Sequence, residues 1–268
     1  MSEPPGREHR FARRLGALLM RIRPAPLASV LKELLCVRRI VVETPECTLW
    51  LDPASEFGQR LLTLGYYEPE TSVVLKQILR PGGTFADVGA NEGYFSLIAS
   101  RIVGAGGRVL AVEPQKRLQE VLRRNFDLNG ASNATIAAAA VSDAKGAAEL
   151  NLAASMNTGS SSLMRRTRYR PRQETVPTET LAEIARQAGI GRIDLLKMDI
   201  EGWEYEAILG SRSLFEEGRV RAIVIEIHAD HLRARGLEAG AIVDFLTGCG
   251  FRVATEFKAL VFVLPGAQ

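Results

Sequence analysis

The sequence has few of the residues that build disulfide frameworks and zinc sites. Its 268 residues include three cysteines and three histidines, and no Cys-x-x-Cys or Cys/His pair has metal-ligand spacing. This scarcity argues against a disulfide-stabilised secreted fold and predicts a reducing, cytoplasmic location.

Long apolar runs are also missing. The run at 15–20 is too short for a signal peptide, and no segment approaches the roughly 18 apolar residues of a membrane span.

A strong overall charge is missing as well. The net charge is +3, so we expect no nucleic-acid partner. Nine basic and three acidic residues nevertheless fall within the first 40. We therefore predict a basic, helical N-terminal extension at 1–64, which is a solvated arm, a lid over substrate or a weak membrane-surface contact. The main domain then spans 65–268, with a polar insertion at about 144–177. The sequence gives no indication of oligomeric state.

Strand and helix patterns alternate through the main domain. The predicted strands are 84–89, 107–114, 134–142, 193–200 and 221–228, followed by a hairpin of 251–257 and 259–264. The predicted helices between them are about 92–102, 115–128, 203–210 and 238–248. A further helix starts after Thr180, which forms a capping box with Glu183. The pattern predicts an α/β fold, a Rossmann-like doubly wound mixed sheet with helices on both faces and an antiparallel C-terminal hairpin edge.

The first predicted strand runs into the loop "DVGANEGYF" at 87–95. Gly89, Ala90 and Asn91 would lie at the carboxyl end of the sheet, where such folds bind ligands. The spacing is DxGxNxG rather than the GxGxxG of dinucleotide folds, and Asp87 would repel a pyrophosphate. The Asp87 carboxylate would not repel a cation. S-adenosylmethionine carries a sulfonium and an ammonium, together with a carboxylate that suits a helix N-terminus.

Acids at the ends of the next two strands extend this predicted site. Glu113 ends the second strand 24 positions after Gly89, close to the roughly 20-residue spacing at which an acid reaches ribose hydroxyls. Ser142 and Asp143 end the third strand, where they either lie beside an adenine or form a polar turn.

Several motifs together resemble a known family. "FADVGANEGYFSL", "VEP", "VSDAKG", "IDLLKMDIEGWEYEAILGS" and "AIVIEIH" occur in this order. The chain resembles an FkbM-type methyltransferase of the class I S-adenosylmethionine-dependent superfamily over roughly 65–265. The resemblance implies S-adenosylmethionine as cofactor and O-methylation of a hydroxyl on a sugar, glycan or other small-molecule natural product. The predicted cofactor-binding residues are Asp87, Gly89, Ala90, Asn91, Gly93, Tyr94, Glu113, Pro114, Ser142 and Asp143.

The candidate catalytic residues lie at the ends of the fourth and fifth strands. Asp199 is the first candidate for a base or a substrate-positioning acid, and Glu201 is the second unless it caps the following helix. His228 is a candidate base or substrate contact, because a neutral imidazole is the usual base at physiological pH. Lys197 is expected to neutralise the acids. A purely structural charge cluster is the alternative. Asp199, Glu226 and His228 could also gather a divalent cation, but we predict no metal.

The insertion contains an arginine run that either grips an anionic acceptor or is a solvated charged segment. Its members are Arg165, Arg166, Arg168, Arg170 and Arg172. Three other functions stay open. The chain could methylate a protein or nucleic acid, or bind the cofactor without transferring its methyl group. A nicotinamide oxidoreductase is disfavoured by the DxGxNxG spacing.

Overall fold

The structure is a computed structural model that describes residues 7–22, 25–152, 172–256 and 258–266. Its helices are α1 (Arg7–Met20), α2 (Ala25–Leu34), α3 (Glu56–Leu64), α4 (Pro69–Ile78), α5 (Tyr94–Val103), α6 (Lys116–Asn129), α7 (Leu181–Gln187), α8 (Glu204–Leu209), α9 (Arg212–Glu216), α10 (Ala229–Arg233) and α11 (Ala239–Gly248). Its strands are β1 (Ile40–Glu43), β2 (Thr48–Leu51), β3 (Thr84–Val88), β4 (Arg108–Val112), β5 (Ala134–Ala137), β6 (Ala140–Val141), β7 (Gly146–Leu152), β8 (Arg172–Glu179), β9 (Leu195–Met198), β10 (Ala222–Ile225), β11 (Arg252–Glu256) and β12 (Leu260–Val263).

A seven-stranded sheet in the order β11-β12-β10-β9-β3-β4-β5 forms the centre of the fold. Five of its strands are parallel, and β12 runs antiparallel to both β10 and β11. Successive residues of a strand enter opposite cores: Leu195 of β9 belongs to one buried cluster, and Leu196 belongs to the other. Both faces are therefore covered. The predicted mixed doubly wound sheet with an antiparallel hairpin edge is confirmed.

The alanine-rich stretch does not form the single strand predicted at 134–142. β5 ends at Ala137 in the main sheet, and β6 pairs in parallel with β8 in a second sheet of order β6-β8-β7. The prediction was wrong because alanine side chains carry no pattern that marks where a chain leaves a sheet.

The predicted polar insertion begins and ends in paired strands, since β7 runs antiparallel to β8. The arginine run lies outside the described residues, except that Arg172 opens β8.

The N-terminal extension contains a hairpin in addition to helices. β1 and β2 pair antiparallel, and α1 packs against both α2 and α3. Asn129 of α6 accepts from the Thr48 N–H at 2.9 Å and donates to the Thr48 carbonyl at 2.6 Å, so its amide continues the edge of β2. The hairpin is thereby attached to the main domain. No helix in the described part of the chain combines the length and apolar character needed to span a membrane.

Two helix ends, those of α6 and α7, carry local signals in the sequence, and only the first forms completely. Gly130 adopts a left-handed φ of +60° and ends α6. The Thr180 hydroxyl accepts from the Glu183 N–H at 3.2 Å, as a capping box requires. The Glu183 carboxylate instead binds Arg186, and Glu179 accepts from the Thr180 N–H. Only half of the predicted capping box forms.

Candidate active site

The loop after β3 has a backbone that requires glycine at position 89. Gly89 has a φ of +82°, and a Cβ there would lie 2.0 Å from the carbonyl oxygen of Asp199. The N–H groups of Gly89 and Ala90 both donate to the Val112 carbonyl, at 3.0 and 3.1 Å. Asn91 has a φ of +51°, an uncommon value outside glycine. The loop therefore lies flat against the ends of β4 and β9, with no room for a side chain at its first position.

Glu113 connects this loop to the end of β4. Its carboxylate accepts from the Asn91 N–H at 3.0 Å and from the Gln115 N–H at 2.9 Å. Burial raises the pKa of Glu113 to about 7, although both backbone hydrogen bonds act to lower it. Further donors, such as ribose hydroxyls, would stabilise its charged form.

Asp87 and Lys197 form a buried layer under the loop. Ser96 donates to Asp87 Oδ2 at 2.7 Å, and Lys197 Nζ lies 3.7 Å from Asp87 Oδ1 and 3.8 Å from Asp199 Oδ2. Burial disfavours the charge of Lys197, but Asp87 and Asp199 outweigh burial and raise its pKa. The sequence predicted that Lys197 would neutralise Asp199 and Glu201, whereas the structure places it between Asp199 and Asp87.

A cavity of about 300 Å³ opens over the loop. Six predicted cofactor-binding residues line it: Gly89, Ala90, Asn91, Tyr94, Glu113 and Pro114. Asp199 and Glu201 line the same cavity, so predicted cofactor and catalytic residues share one space. Among the described residues, the lining does not include Asp87, Gly93, Ser142 or Asp143.

Ser142 and Asp143 approach the cavity only through a neighbour. The Ser142 hydroxyl accepts from Trp203 Nε1 at 3.3 Å and donates to Asp143 at 3.1 Å. Trp203 itself lines the cavity. Ser142 thus contacts the Trp203 indole and Asp143 pairs with Ser142, while a direct contact of either residue with adenine stays a prediction.

His228 lies among four carboxylates. Its Nδ1 is 2.9 Å from Glu204 Oε1, and its Nε2 is 3.7 Å from both Glu201 and Glu226 and 3.9 Å from Asp199. Burial alone would lower the pKa of His228, but the hydrogen bond and charge of Glu204, followed by the other acids, raise it to about 9. The four carboxylates therefore favour the protonated imidazole, and the role of His228 as a base stays a prediction.

Glu204 is a site residue that the sequence did not reveal. It is fully buried, and its Oε1 accepts from the Gly202 N–H at 3.1 Å while contacting His228. Glu204, rather than Glu201, thus holds the turn before α8, and Glu201 has a left-handed φ of +55°. No local signal separates the three glutamates of "DIEGWEYE", because the partner of Glu204 is 24 residues away.

One group of side chains has the donor set of a metal site. Asp199, Glu201 and His228 each offer one ligand atom, and these atoms lie within 4.8 Å of one another. A cation there would have to displace the imidazolium proton, since a metal-bound imidazole is neutral.

The N-terminal extension and the C-terminal hairpin also contribute to the cavity wall. Phe57 and Arg60 of α3 line it, together with Tyr67 and Glu68 from the following segment. Lys258 lines it as well, and its Nζ lies 3.2 Å from Glu68 and 2.7 Å from Glu226. The sequence analysis gave these residues no site role, because the packing of distant segments brings them to the cavity.

The site fits a cationic nucleoside cofactor. Asn91 Oδ1 is a buried acceptor without a hydrogen-bond partner in the structure. The carboxylates of Glu113, Asp199 and Glu201 all face the same cavity. Unmet acceptors and carboxylates suit an ammonium, a sulfonium and ribose hydroxyls, and they do not suit a pyrophosphate.

The sheet is doubly wound and has an antiparallel hairpin edge. A glycine loop follows its first parallel strand, and an acid follows the second parallel strand. These features together define a class I S-adenosylmethionine-dependent methyltransferase. Residues 87–253 match the family described as the methyltransferase FkbM domain. The chain belongs to this family, and its cofactor is S-adenosylmethionine.

Individual relatives are more distant. The AMB antimetabolite synthetase AmbE of Pseudomonas aeruginosa is 28% identical over 219 residues, which cover 69% of this chain and 10% of AmbE. The FkbM methyltransferase of Methylobacillus flagellatus superposes with a TM-score of 0.42 at 18% identity, over 77% of this chain and 54% of that protein. Aeropyrum pernix fibrillarin with natively bound S-adenosylmethionine gives a TM-score of 0.42 at 12% identity, over 72% of this chain and 73% of its own. The chain thus spans a tenth of AmbE and about half of the Methylobacillus protein.

Proposed function

We propose that the protein transfers the methyl group of S-adenosylmethionine to a hydroxyl of a sugar, glycan or other small-molecule natural product. The observation that carries this proposal is the cluster of carboxylates around His228, two of which, Asp199 and Glu201, line the same cavity as the glycine loop. An alcohol is a poor nucleophile until its proton is removed, so a carboxylate beside the cofactor suits a hydroxyl acceptor.

The cofactor supplies an activated methyl group, and the chain must hold and deprotonate the acceptor. Glu113 and the loop at 89–91 would hold the nucleoside and its amino-acid end. Asp199 or Glu201 would accept the hydroxyl proton while the methyl–oxygen bond forms and the methyl–sulfur bond breaks, which releases S-adenosylhomocysteine. Burial raises the pKa of Glu201, which makes it a stronger base. The positive charge of protonated His228 would reduce the repulsion between these carboxylates.

The acceptor class has support from composition and from one relative. A net charge of +3 does not favour a nucleic-acid acceptor. AmbE is named for the synthesis of an antimetabolite, which is a small molecule. A small-molecule or saccharide acceptor is therefore the class to test first.

Asp199→Asn tests the proposed base. We expect S-adenosylhomocysteine to bind within about threefold of the parent affinity while turnover falls about 10²–10⁴-fold, the usual contribution of general-base catalysis. Turnover is measured as S-adenosylhomocysteine release against a panel of sugars, phenols, aliphatic alcohols and amines. Asp230→Asn, on the exposed surface of α10, is the matched control. Undiminished turnover by Asp199→Asn, or methylation of amines alone, would refute the proposal.

A further inference from the structure

Glu92, in the middle of the cofactor loop, is held by the N-terminal extension. Its carboxylate is 1% exposed and accepts two hydrogen bonds from the Arg39 guanidinium, at 2.8 and 2.9 Å. Arg39 precedes β1 and also donates to the Trp50 carbonyl of β2 at 3.0 Å. One guanidinium therefore joins the loop to the hairpin in a bidentate geometry that fixes the direction of both groups.

A second connection leads from the same loop residue to the same hairpin residue. Fully buried Asn125 of α6 donates to the Glu92 carbonyl at 2.8 Å and accepts from the Trp50 N–H at 2.7 Å. The side chain and the carbonyl of Glu92 are thus both tied to the backbone of Trp50, one through Arg39 and the other through Asn125. Two anchors to one rigid strand leave the loop little freedom to rotate.

This attachment matters because the loop is conformationally demanding. Asn91 and Gly93, on either side of Glu92, have left-handed φ values of +51° and +89°. Such a backbone persists only where surrounding contacts fix it. Burial raises the pKa of Glu92 and Arg39 counteracts this, so without Arg39 the loop would contain an unpaired buried carboxylate. Glu92 also lines the cofactor cavity.

We propose that Arg39 is a positioning residue for S-adenosylmethionine, and that its pair with Glu92 holds the loop in the conformation that receives the cofactor. The segment from Arg39 to the end of β2 is then part of the cofactor site, although it lies outside the residues matched to the family. The loop was predicted from the sequence, but its support 53 residues earlier in the chain was not.

Arg39→Lys tests this role, because it keeps the positive charge and removes the bidentate geometry. We expect the dissociation constant of S-adenosylhomocysteine, measured by calorimetry, to rise about tenfold, the loss expected for one charge-assisted hydrogen bond. In the cofactor-free protein, hydrogen exchange at residues 89–93 should become faster. The KM for S-adenosylmethionine should rise in proportion, while kcat at saturating cofactor changes less than about threefold.

Arg124→Gln is the matched control, because the Arg124 guanidinium lies 4.1 Å from the centroid of the Trp50 ring. It should leave affinity and loop exchange unchanged. A folded Arg39→Lys protein with parent affinity, even with a lower melting temperature, would show a merely structural role and overturn the proposal. If Arg39→Lys does not fold, the double variant Arg39→Gln/Glu92→Gln removes both charges. It should show the same loss of affinity, and parent affinity there would also overturn the proposal.

Discussion

The protonation state of His228 is open to direct measurement. Its Nδ1 is hydrogen-bonded to Glu204, three further carboxylates face its Nε2 within 3.9 Å, and the His231 ring stacks on it at 5.6 Å. Burial alone would lower the pKa of His228, but Glu204, Asp199 and Glu201 outweigh burial and raise it to about 9 from an ordinary 6.5. We expect the titration of the imidazole by nuclear magnetic resonance to give a midpoint well above pH 8. The protein contains three histidines, so assignment requires few variants.

The size of the shift can be divided between its causes. A shift of this size corresponds to about 3 kcal/mol of stabilisation. A hydrogen bond between charged groups contributes about 1.5–3 kcal/mol, so Glu204→Gln should lower the His228 pKa by about one to two units. Because the folded-state pKa is raised, this stabilisation is complete below about pH 6.5 and is lost as the pH rises through about 9. The stability difference between the parent and His228→Asn should shrink over that interval.

The assay combines imidazole titration with urea denaturation at pH 6, 7.5 and 9.5. Glu206→Gln is the control, because Glu206 lies on the same helix and pairs with Arg235 instead. A His228 midpoint at or below 6.5, or one that Glu204→Gln leaves unmoved, would refute the reasoning. With a midpoint at or below 6.5, the imidazole would be neutral at physiological pH and would return as a candidate base.

Two further predictions concern the loop and the layer beneath it. Gly89→Ala should abolish detectable S-adenosylhomocysteine binding, because the new Cβ would lie 2.0 Å from the Asp199 carbonyl oxygen. Gly65→Ala, at a similar φ of +81° with open space around it, should cost only about 1–2 kcal/mol and leave binding intact. Calorimetric titration of both variants decides the matter, and binding by Gly89→Ala would contradict the geometry. Lys197→Met leaves buried Asp87 without its cation and should lower the free energy of unfolding in urea by about 3–5 kcal/mol. A loss below about 1 kcal/mol would show that Asp87 is neutral in the fold.

The parallel strands could be predicted because their sequences are mostly apolar. Leu195–Met198 and Ala222–Ile225 are buried at every position, as strands covered on both faces must be. The hairpin β1–β2 could not be predicted in the same way. Its partners are amide side chains of α6 at separations of 75 and 81 residues, and a local pattern contains no information about them.

The site residues also divide into those that local sequence patterns predict and those that only the packing of distant segments brings together. Gly89, Glu113 and Asp199 stand at strand ends, and the topology of a parallel sheet brings strand ends together. Glu204 and Arg39 act through side-chain contacts that only the packed chain creates. Sequence reasoning therefore predicted several residues that line the cavity and missed Glu204 and Arg39, whose contacts form only in the packed chain.

The position of β12 has a consequence for synthesis of the protein. This strand, the last one in the described residues, lies between β10 and β11 and is an interior member of the sheet. Until it leaves the ribosome, β10 has an open edge and β11 has no neighbour in the main sheet. An exposed apolar edge invites pairing with other chains. Nascent protein should therefore need protection until β12 has emerged, and a chain cut before β12 should aggregate.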